Sequence, residues 1–203
     1  MDLTFQSYTL SNGIKLIVKE NHYTQSVVIR GRLSGGANLD PPEKTGLAAF
    51  TTSLMGRGTA RHTFAEINEI VESVGAMLRF NCGRHLTTVS SKSLSEDFDL
   101  LVGLMLDGLT GPTFPPEEIE RVRGQLITGL RELQESTRGL AQLYFRESLY
   151  GLDHPYGRPF SGTLESVEGI TQADLFDFYQ NIHPHEGIFV VVGDVVSDIV
   201  YQA

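Results

Sequence analysis

The sequence predicts an α+β fold in which a mostly antiparallel sheet is covered by helices. The chain opens with two alternating, β-prone runs joined by Asn12-Gly13, a dipeptide typical of a tight β-hairpin. Several later segments repeat apolar residues at helical spacing. Because strands and helices do not alternate regularly along the chain, we do not expect a parallel βαβ architecture.

Six segments have the composition and alternation of strands, and Gly, Asn or Ser residues bound most of them. The predicted strands are residues 7–10, 14–19, 26–33, 77–82, 86–91 and 187–192. Their grouping favours hairpins over crossovers. The residues after 192 are predicted to be a short tail, and a last strand so near the end predicts that the chain is part of a longer one.

Six other segments are predicted to be helices, because their apolar residues recur every three or four positions. They are residues 47–55, 64–74, 97–109, 116–133, 140–149 and 172–182. Thr63 and Glu66 have the spacing of a capping box, and Pro115-Pro116 is typical of a helix start. Gly124 and Gly129 lie inside the long fourth helix, where each costs about 1 kcal/mol relative to alanine. That helix must therefore be stabilised by packing.

Length, charge and cysteine content limit the class of protein. With 203 residues, the chain is predicted to form one domain, residues 1–203. A formal net charge of -9 argues against nucleic acid as a partner. No apolar run reaches the roughly 18 residues of a membrane span, so no membrane insertion is predicted. The single Cys82 excludes an internal disulfide and a multi-cysteine metal site, but it does not identify the compartment.

The chain offers few constellations that could carry chemistry. His183 and His185 flank a proline and suggest a metal site, although a loop is the commoner interpretation. Cys82 and His85 suggest thiol catalysis, although a strand cysteine is more often a small buried apolar residue. A stripe of small residues follows one face of the first predicted helix and indicates tight helix packing. The stripe consists of Gly46, Ala49, Ser53 and Gly56.

Taken together, the segments resemble the pitrilysin/insulinase family of inverted zinc metallopeptidases, in particular the processing-peptidase-like subfamily. The segments that carry this resemblance are LSNGIKLIVKE, RLSGGANLDPPEKTGLAAFTTSLMGRGT, IVESVGAMLRFNCGRHLTTVSSKSLSEDFDLLVGLMLDGL, PPEEIERVRGQLITGLRELQES, HPYGRPFSGTLESV, TQADLFDFYQNIHP and FVVVGD. Each segment is weak evidence alone, but their order and spacing are specific. The resemblance implies the LuxS/processing-peptidase-like metallohydrolase fold, of which this chain would be the N-terminal half.

Active members of this family carry an H-x-x-E-H motif on the helix after the Gly-Leu-Ala sequence, with a third zinc ligand on a later helix. The flanking residues place the motif on Ala49, Thr52 and Ser53, and the family spacing places the third ligand on Gly129, 76 residues after Ser53. Alanine and glycine have no donor atom, and the hydroxyl groups are poor zinc ligands and weak bases. The resemblance therefore implies no catalytic residue, no metal and no other cofactor, in a site closed by small residues.

The resemblance still implies the architecture of the family, although it implies no zinc site. Subunits of this subfamily pair as clamshells, and a degenerate one helps to enclose peptide while a zinc-bearing H-x-x-E-H partner hydrolyses it. The leading hypothesis is therefore a non-catalytic subunit or domain that forms a heterodimer with such a partner. The compartment does not follow from the sequence, and for a bacterial protein it would be the cytoplasm or the periplasm. In the catalytic half, peptide adds beside a strand that corresponds to the segment with Arg79, Phe80 and Asn81, although an ordinary edge strand is the favoured interpretation here.

Two alternatives remain open at this point. One is a structural, core-type scaffold subunit of a larger complex, without a role in proteolysis. The other is an enzyme of different chemistry that uses Cys82 and His85. Neither the substrate nor the identity of a partner follows from the sequence.

Overall fold

The computed structural model describes residues 4–202, with side chains described outside 183–186, and its core is one six-stranded sheet. The strands are Gln6–Thr9 (β1), Lys15–Glu20 (β2), Ser26–Ser34 (β3), Met77–Cys82 (β4), Leu86–Leu94 (β5) and His183–Gly193 (β6). The spatial order is β1-β2-β6-β3-β5-β4. Only β2 and β6 run parallel, which confirms the mostly antiparallel sheet.

Eight helices accompany the sheet in the described part of the chain. They are Leu47–Leu54 (α1), Phe64–Ser73 (α2), Phe98–Thr110 (α3), Pro116–Glu135 (α4), Thr137–Tyr150 (α5), Leu164–Gly169 (α6), Gln172–Tyr179 (α7) and Ser197–Gln202 (α8). Thr63 and Glu66 form the predicted capping box at the start of α2. Within residues 4–202, no helix has both the length and the apolar character needed to cross a bilayer.

The helices cover one face of the sheet, where alternate strand residues supply the core. One cluster joins inward-facing residues of the central strands, such as Val27 and Val191, to Phe98 and Met105 of α3. A second cluster joins α1, α4, α6 and α7, with Phe50 and Leu54 fully buried at its centre. The opposite face of the sheet is open, because the alternation in β3 and β4 leaves Arg30, Arg32 and Arg79 exposed there.

Two helices were absent from the sequence prediction. The helix α6 is capped by Thr163 and Ser166, a box in which serine replaces the usual glutamate and so weakens the sequence signal. The helix α8 occupies the predicted tail; its Ser197 amide donates to Glu20 Oε1 at 2.8 Å, and its Tyr201 stacks on Tyr8. Both contacts join residues far apart in sequence, which local periodicity does not reveal.

The placement of the last strand also comes from tertiary structure. The strand β6 inserts between β2 and β3 rather than adding to an edge. Gly31 of β3 makes this possible, because a Cβ there would lie 2.4 Å from the Phe189 ring of β6. The insertion leaves β4 as an edge strand, as the sequence interpretation favoured.

Candidate functional site

The helix α1 is held at its start by a buried carboxylate. Asp40 accepts hydrogen bonds from the amides of Gly46 and Ala48, both at 2.8 Å. Burial raises the pKa of Asp40 to about 6, although these two bonds and the nearby Arg158 oppose the rise. Gly46 has φ +88, and a Cβ there would lie 2.7 Å from the Ser161 carbonyl oxygen. The start of α1 is therefore closely packed and precisely oriented against the 150–163 segment.

The helix α1 presents two different faces to its surroundings. Thr52 is 1% exposed, and its hydroxyl oxygen lies 3.5 Å from that of Thr87 on β5. Ala49 is half-buried and Ser53 is exposed on the other side. The Ser53 hydroxyl donates to the Ala49 carbonyl oxygen at 2.7 Å, so it is turned back onto its own helix.

The helix α4 packs beside α1, and the family spacing predicts that Gly129 faces Ser53 across the two helices. Arg57, just after α1, donates to Gln125 Oε1 at 3.3 Å and to Glu118 Oε2 at 3.1 Å. Ser53 lies four residues before Arg57, and Gly129 lies one turn after Gln125, so an antiparallel arrangement of the two helices would bring the two positions face to face. We call the groove between Ala49, Ser53 and Gly129 the α1–α4 cleft.

The α1–α4 cleft is open, which corrects the expectation of a site closed by small residues. Gly129 is exposed, and a Cβ there would have no heavy atom within 4 Å. Close packing is confined to the two ends of the small-residue stripe, at Gly46 and at Gly56, where a Cβ would lie 3.1 Å from the Phe80 ring. The cleft has room for longer side chains that the sequence does not supply.

The residues of the cleft do not fit a zinc ion. Ala49 and Gly129 have no donor atoms, the Ser53 hydroxyl is engaged by its own helix, and Thr52 points towards Thr87. Among the side chains that the structure describes, no group of three or more His, Cys, Asp or Glu could hold a metal ion. The hypothesis of a metal site at His183 and His185 concerns side chains outside the described residues.

The surroundings of Cys82 argue against the hypothesis that it is a nucleophile. Burial raises the pKa of its thiol to about 11, and its Sγ lies 3.2 Å from the Gly83 carbonyl oxygen. His85 instead forms a hydrogen bond with the Tyr156 hydroxyl. Cys82 packs against the cluster around α1, as a small apolar residue would.

The predicted peptide-binding segment lies on the free edge of the sheet. Arg79 and Asn81 are exposed on the open face, where they line a shallow depression of about 600 Å³ with Arg30 and Arg32. Phe80 points the other way, into the core beside Gly108 of α3. The Phe80 side chain is therefore not available to a peptide. The pairing of a peptide main chain with the free edge of β4 stays a prediction.

Comparison with known proteins identifies the family. The profile of the insulinase family (peptidase family M16) matches residues 15–163. The chain belongs to this family. It is 26% identical over 189 residues to the mitochondrial-processing peptidase subunit beta of Neurospora crassa, covering 92% of this chain and 39% of that protein. An uncharacterized zinc protease of Bacillus subtilis is 20% identical over 191 residues, covering 94% of this chain and 46% of that protein.

Solved structures confirm the fold. A peptidase M16 inactive domain from Pseudomonas fluorescens superposes with a TM-score of 0.92 at 24% identity, covering 98% of this chain and 49% of that one. The periplasmic protease PqqL of Escherichia coli gives a TM-score of 0.84 at 20% identity, covering 99% of this chain and 23% of that one. The M16 chain described here therefore spans less than half the length of these relatives and structures.

Proposed function

We propose that this M16 chain is a non-catalytic peptidase half that helps to enclose and hold peptide while a zinc-bearing H-x-x-E-H partner hydrolyses it. The single observation that carries the proposal is the composition of the α1–α4 cleft. Ala49, Thr52, Ser53 and Gly129 stand where the family motif would supply ligands and base, and none offers a suitable donor. The scaffold around them is nevertheless retained, which favours a role in binding.

An exposed apolar face on α5 supports the need for a partner. Tyr144, Phe145 and Leu149 lie on this helix with 59%, 65% and 60% of their surface exposed. No residue of α5 is buried. Apolar residues exposed together in this way are typical of protein interfaces. We place the contact with the zinc-bearing partner, or with the second half of a longer subunit, on this face.

The proposed lack of activity is tested on the purified protein. Zinc content is measured by inductively coupled plasma mass spectrometry, and cleavage of an unstructured fluorogenic peptide is followed with and without a co-purified H-x-x-E-H homologue. We expect little zinc and no cleavage by this protein alone, and cleavage when the homologue is present. Stoichiometric, tightly held zinc together with cleavage by this protein alone would contradict the proposal.

The proposed interface is tested by co-purification. The double variant Phe145→Ser/Leu149→Ser should fold normally, because both side chains are exposed, but should lose the partner. Leu100→Ser removes an exposed leucine of α3 and is the matched control, which should keep the partner. Recovery of membrane-complex subunits in place of an H-x-x-E-H homologue would instead favour the structural scaffold function.

A further inference from the structure

A cavity beside the α1–α4 cleft is lined by three arginines from different parts of the chain. Its volume is about 210 Å³. Arg84 comes from the turn between β4 and β5, Arg146 comes from α5, and Arg158 comes from the segment after α5. Leu133 and Phe160 supply apolar wall on the same cavity. The cavity therefore combines concentrated positive charge with an apolar lining.

None of the three guanidinium groups forms a salt bridge among the described residues, although the Asp40 carboxylate lies near Arg158. Among the described side chains, no carboxylate lies within 4 Å of Arg84, Arg146 or Arg158. Arg158 donates only to carbonyl oxygens, those of Asp40, Leu152 and Asp153. In a protein with a net charge of -9, these three arginines form a local concentration of positive charge.

Arg84 has an unused donor. Its Nη1 donates to the Pro155 carbonyl oxygen at 3.0 Å, but its Nη2 is buried and has no hydrogen-bond partner among the described residues. Burial and the neighbouring Arg146 guanidinium together hold the pKa of Arg84 below its usual value. A buried unpaired donor is costly, and an anion in the cavity would offset the repulsion between the Arg84 and Arg146 guanidinium groups.

The cavity continues the line of the cleft. Leu133 lies one turn after Gly129 on α4, and Ser161, which also lines the cavity, contacts Gly46 just before α1. A peptide that lies extended along the cleft would therefore bring one of its own side chains next to the three arginines. The apolar wall suits the methylene groups of that side chain, and the guanidinium fork suits a carboxylate.

We propose that the cavity between Arg84, Arg146 and Arg158 is a carboxylate-binding pocket, which takes an acidic side chain of a peptide held in the α1–α4 cleft. The proposal rests on the proposed function, because it assumes that peptide occupies the cleft. It adds a substrate class, namely peptides with Asp or Glu close to the segment that crosses between α1 and α4.

The test compares two labelled, C-terminally amidated peptides of equal length that differ only in Glu against Gln. Fluorescence anisotropy measures their binding to the purified native protein, to Arg146→Gln and to Arg131→Gln. Arg146 makes no hydrogen bond within the described residues, so its replacement should preserve the fold, which a thermal melt checks. Arg131 is exposed on α4 away from the cavity and provides the control for net charge.

We expect the native protein to bind the Glu peptide about tenfold more tightly than the Gln peptide, as hydrogen bonds to a charged group predict. Arg146→Gln should remove most of this preference, and Arg131→Gln should keep it. Equal binding of both peptides to the native protein would overturn the pocket but leave peptide holding intact. Failure of both peptides to bind would overturn peptide holding as well.

A competition experiment uses inorganic phosphate, which is an anion as a carboxylate is. Phosphate should compete with the Glu peptide for the native protein and should not displace the Gln peptide. If phosphate raises the melting temperature of the native protein while the Glu peptide does not bind, the cavity is a small-anion site and the assignment to peptide is wrong.

Discussion

The hydroxyl groups of Thr52 and Thr87 lie 3.5 Å apart beneath the α1–α4 cleft, and the Thr87 hydroxyl donates onward to the Gly35 carbonyl oxygen at 2.8 Å. The position that the family motif would give to a general base is thereby directed into the sheet. These contacts join α1 to β5 and to the residue that follows β3. They make Thr52 part of the structural core of this M16 chain.

Replacing Thr52 with glutamate should therefore destabilise the protein rather than prepare it for catalysis. A carboxylate at a position that is 1% exposed, beside the Thr87 hydroxyl and the Cys82 thiol, should lower the free energy of unfolding by about 2–4 kcal/mol. Urea denaturation measures the change. Thr128→Glu, at an exposed threonine of α4, is the control and should change little. Equal stability of the two variants would contradict the buried placement of Thr52.

Zinc binding should be recoverable from the geometry of the cleft alone. The triple variant Ala49→His/Ser53→His/Gly129→Glu places two histidines one helical turn apart and a carboxylate opposite them, in space that is open at Gly129. Isothermal titration calorimetry should show zinc binding to this variant at one ion per chain.

The control for zinc binding moves the carboxylate by one residue. Ala49→His/Ser53→His/Thr128→Glu carries the same ligand types, but the glutamate lies away from the cleft. It should bind zinc at least about tenfold more weakly, since one of three ligands is lost. Similar affinities for the two triple variants would show that Ser53 and Gly129 do not face each other.

The stability of the protein should depend on pH through Asp40. Its folded pKa of about 6 lies above the usual aspartate value of 3.8, so the folded protein binds the proton more readily than the unfolded chain. The resulting stabilisation is complete below the lower pKa and is lost as pH rises through 6. The free energy of unfolding of the native protein relative to Asp40→Asn should fall by about 2–3 kcal/mol between pH 4 and 7.

Asp174 provides a control with the opposite sign. Burial alone would raise its pKa, but the hydrogen bonds from Lys44 and Thr171 more than offset this and lower it. The contribution of Asp174 is thus present at neutral pH and is lost on acidification. Urea denaturation at several pH values gives the free energy of unfolding of the native protein relative to each variant. This difference should fall with rising pH for Asp40→Asn and increase with rising pH for Asp174→Asn. A flat or rising profile for Asp40 would contradict its burial as a carboxylate.

Cys82 should react slowly with alkylating reagents in the folded protein. Burial raises the pKa of its thiol from 9.0 to about 11, so at pH 8 the thiolate fraction falls about a hundredfold. Mass spectrometry should show slow modification by iodoacetamide and rapid modification after denaturation in urea. Rapid labelling of the folded protein, together with loss of peptide binding in Cys82→Ala, would restore the hypothesis of a chemical role for this residue.

Sequence alone determined the features that depend on residues close together in the chain. The hairpin at Asn12-Gly13 and the capping box of Thr63 and Glu66 follow from hydrogen bonds that span only a few residues. The absence of metal donors at Ala49 and Gly129 also follows from side-chain composition, once the flanking motifs locate these positions.

Only the tertiary structure decided what lies between elements distant in the chain. Phe80 turns into the core because of the pleat and register of β4, and Thr52 meets Thr87 because α1 packs against the sheet at β4, the neighbour of β5. The convergence of Arg84, Arg146 and Arg158 on one cavity gives no local pattern, since three separate segments supply them. Periodicity reports which face of one element is apolar, whereas the packing of many elements determines which residues from different segments meet.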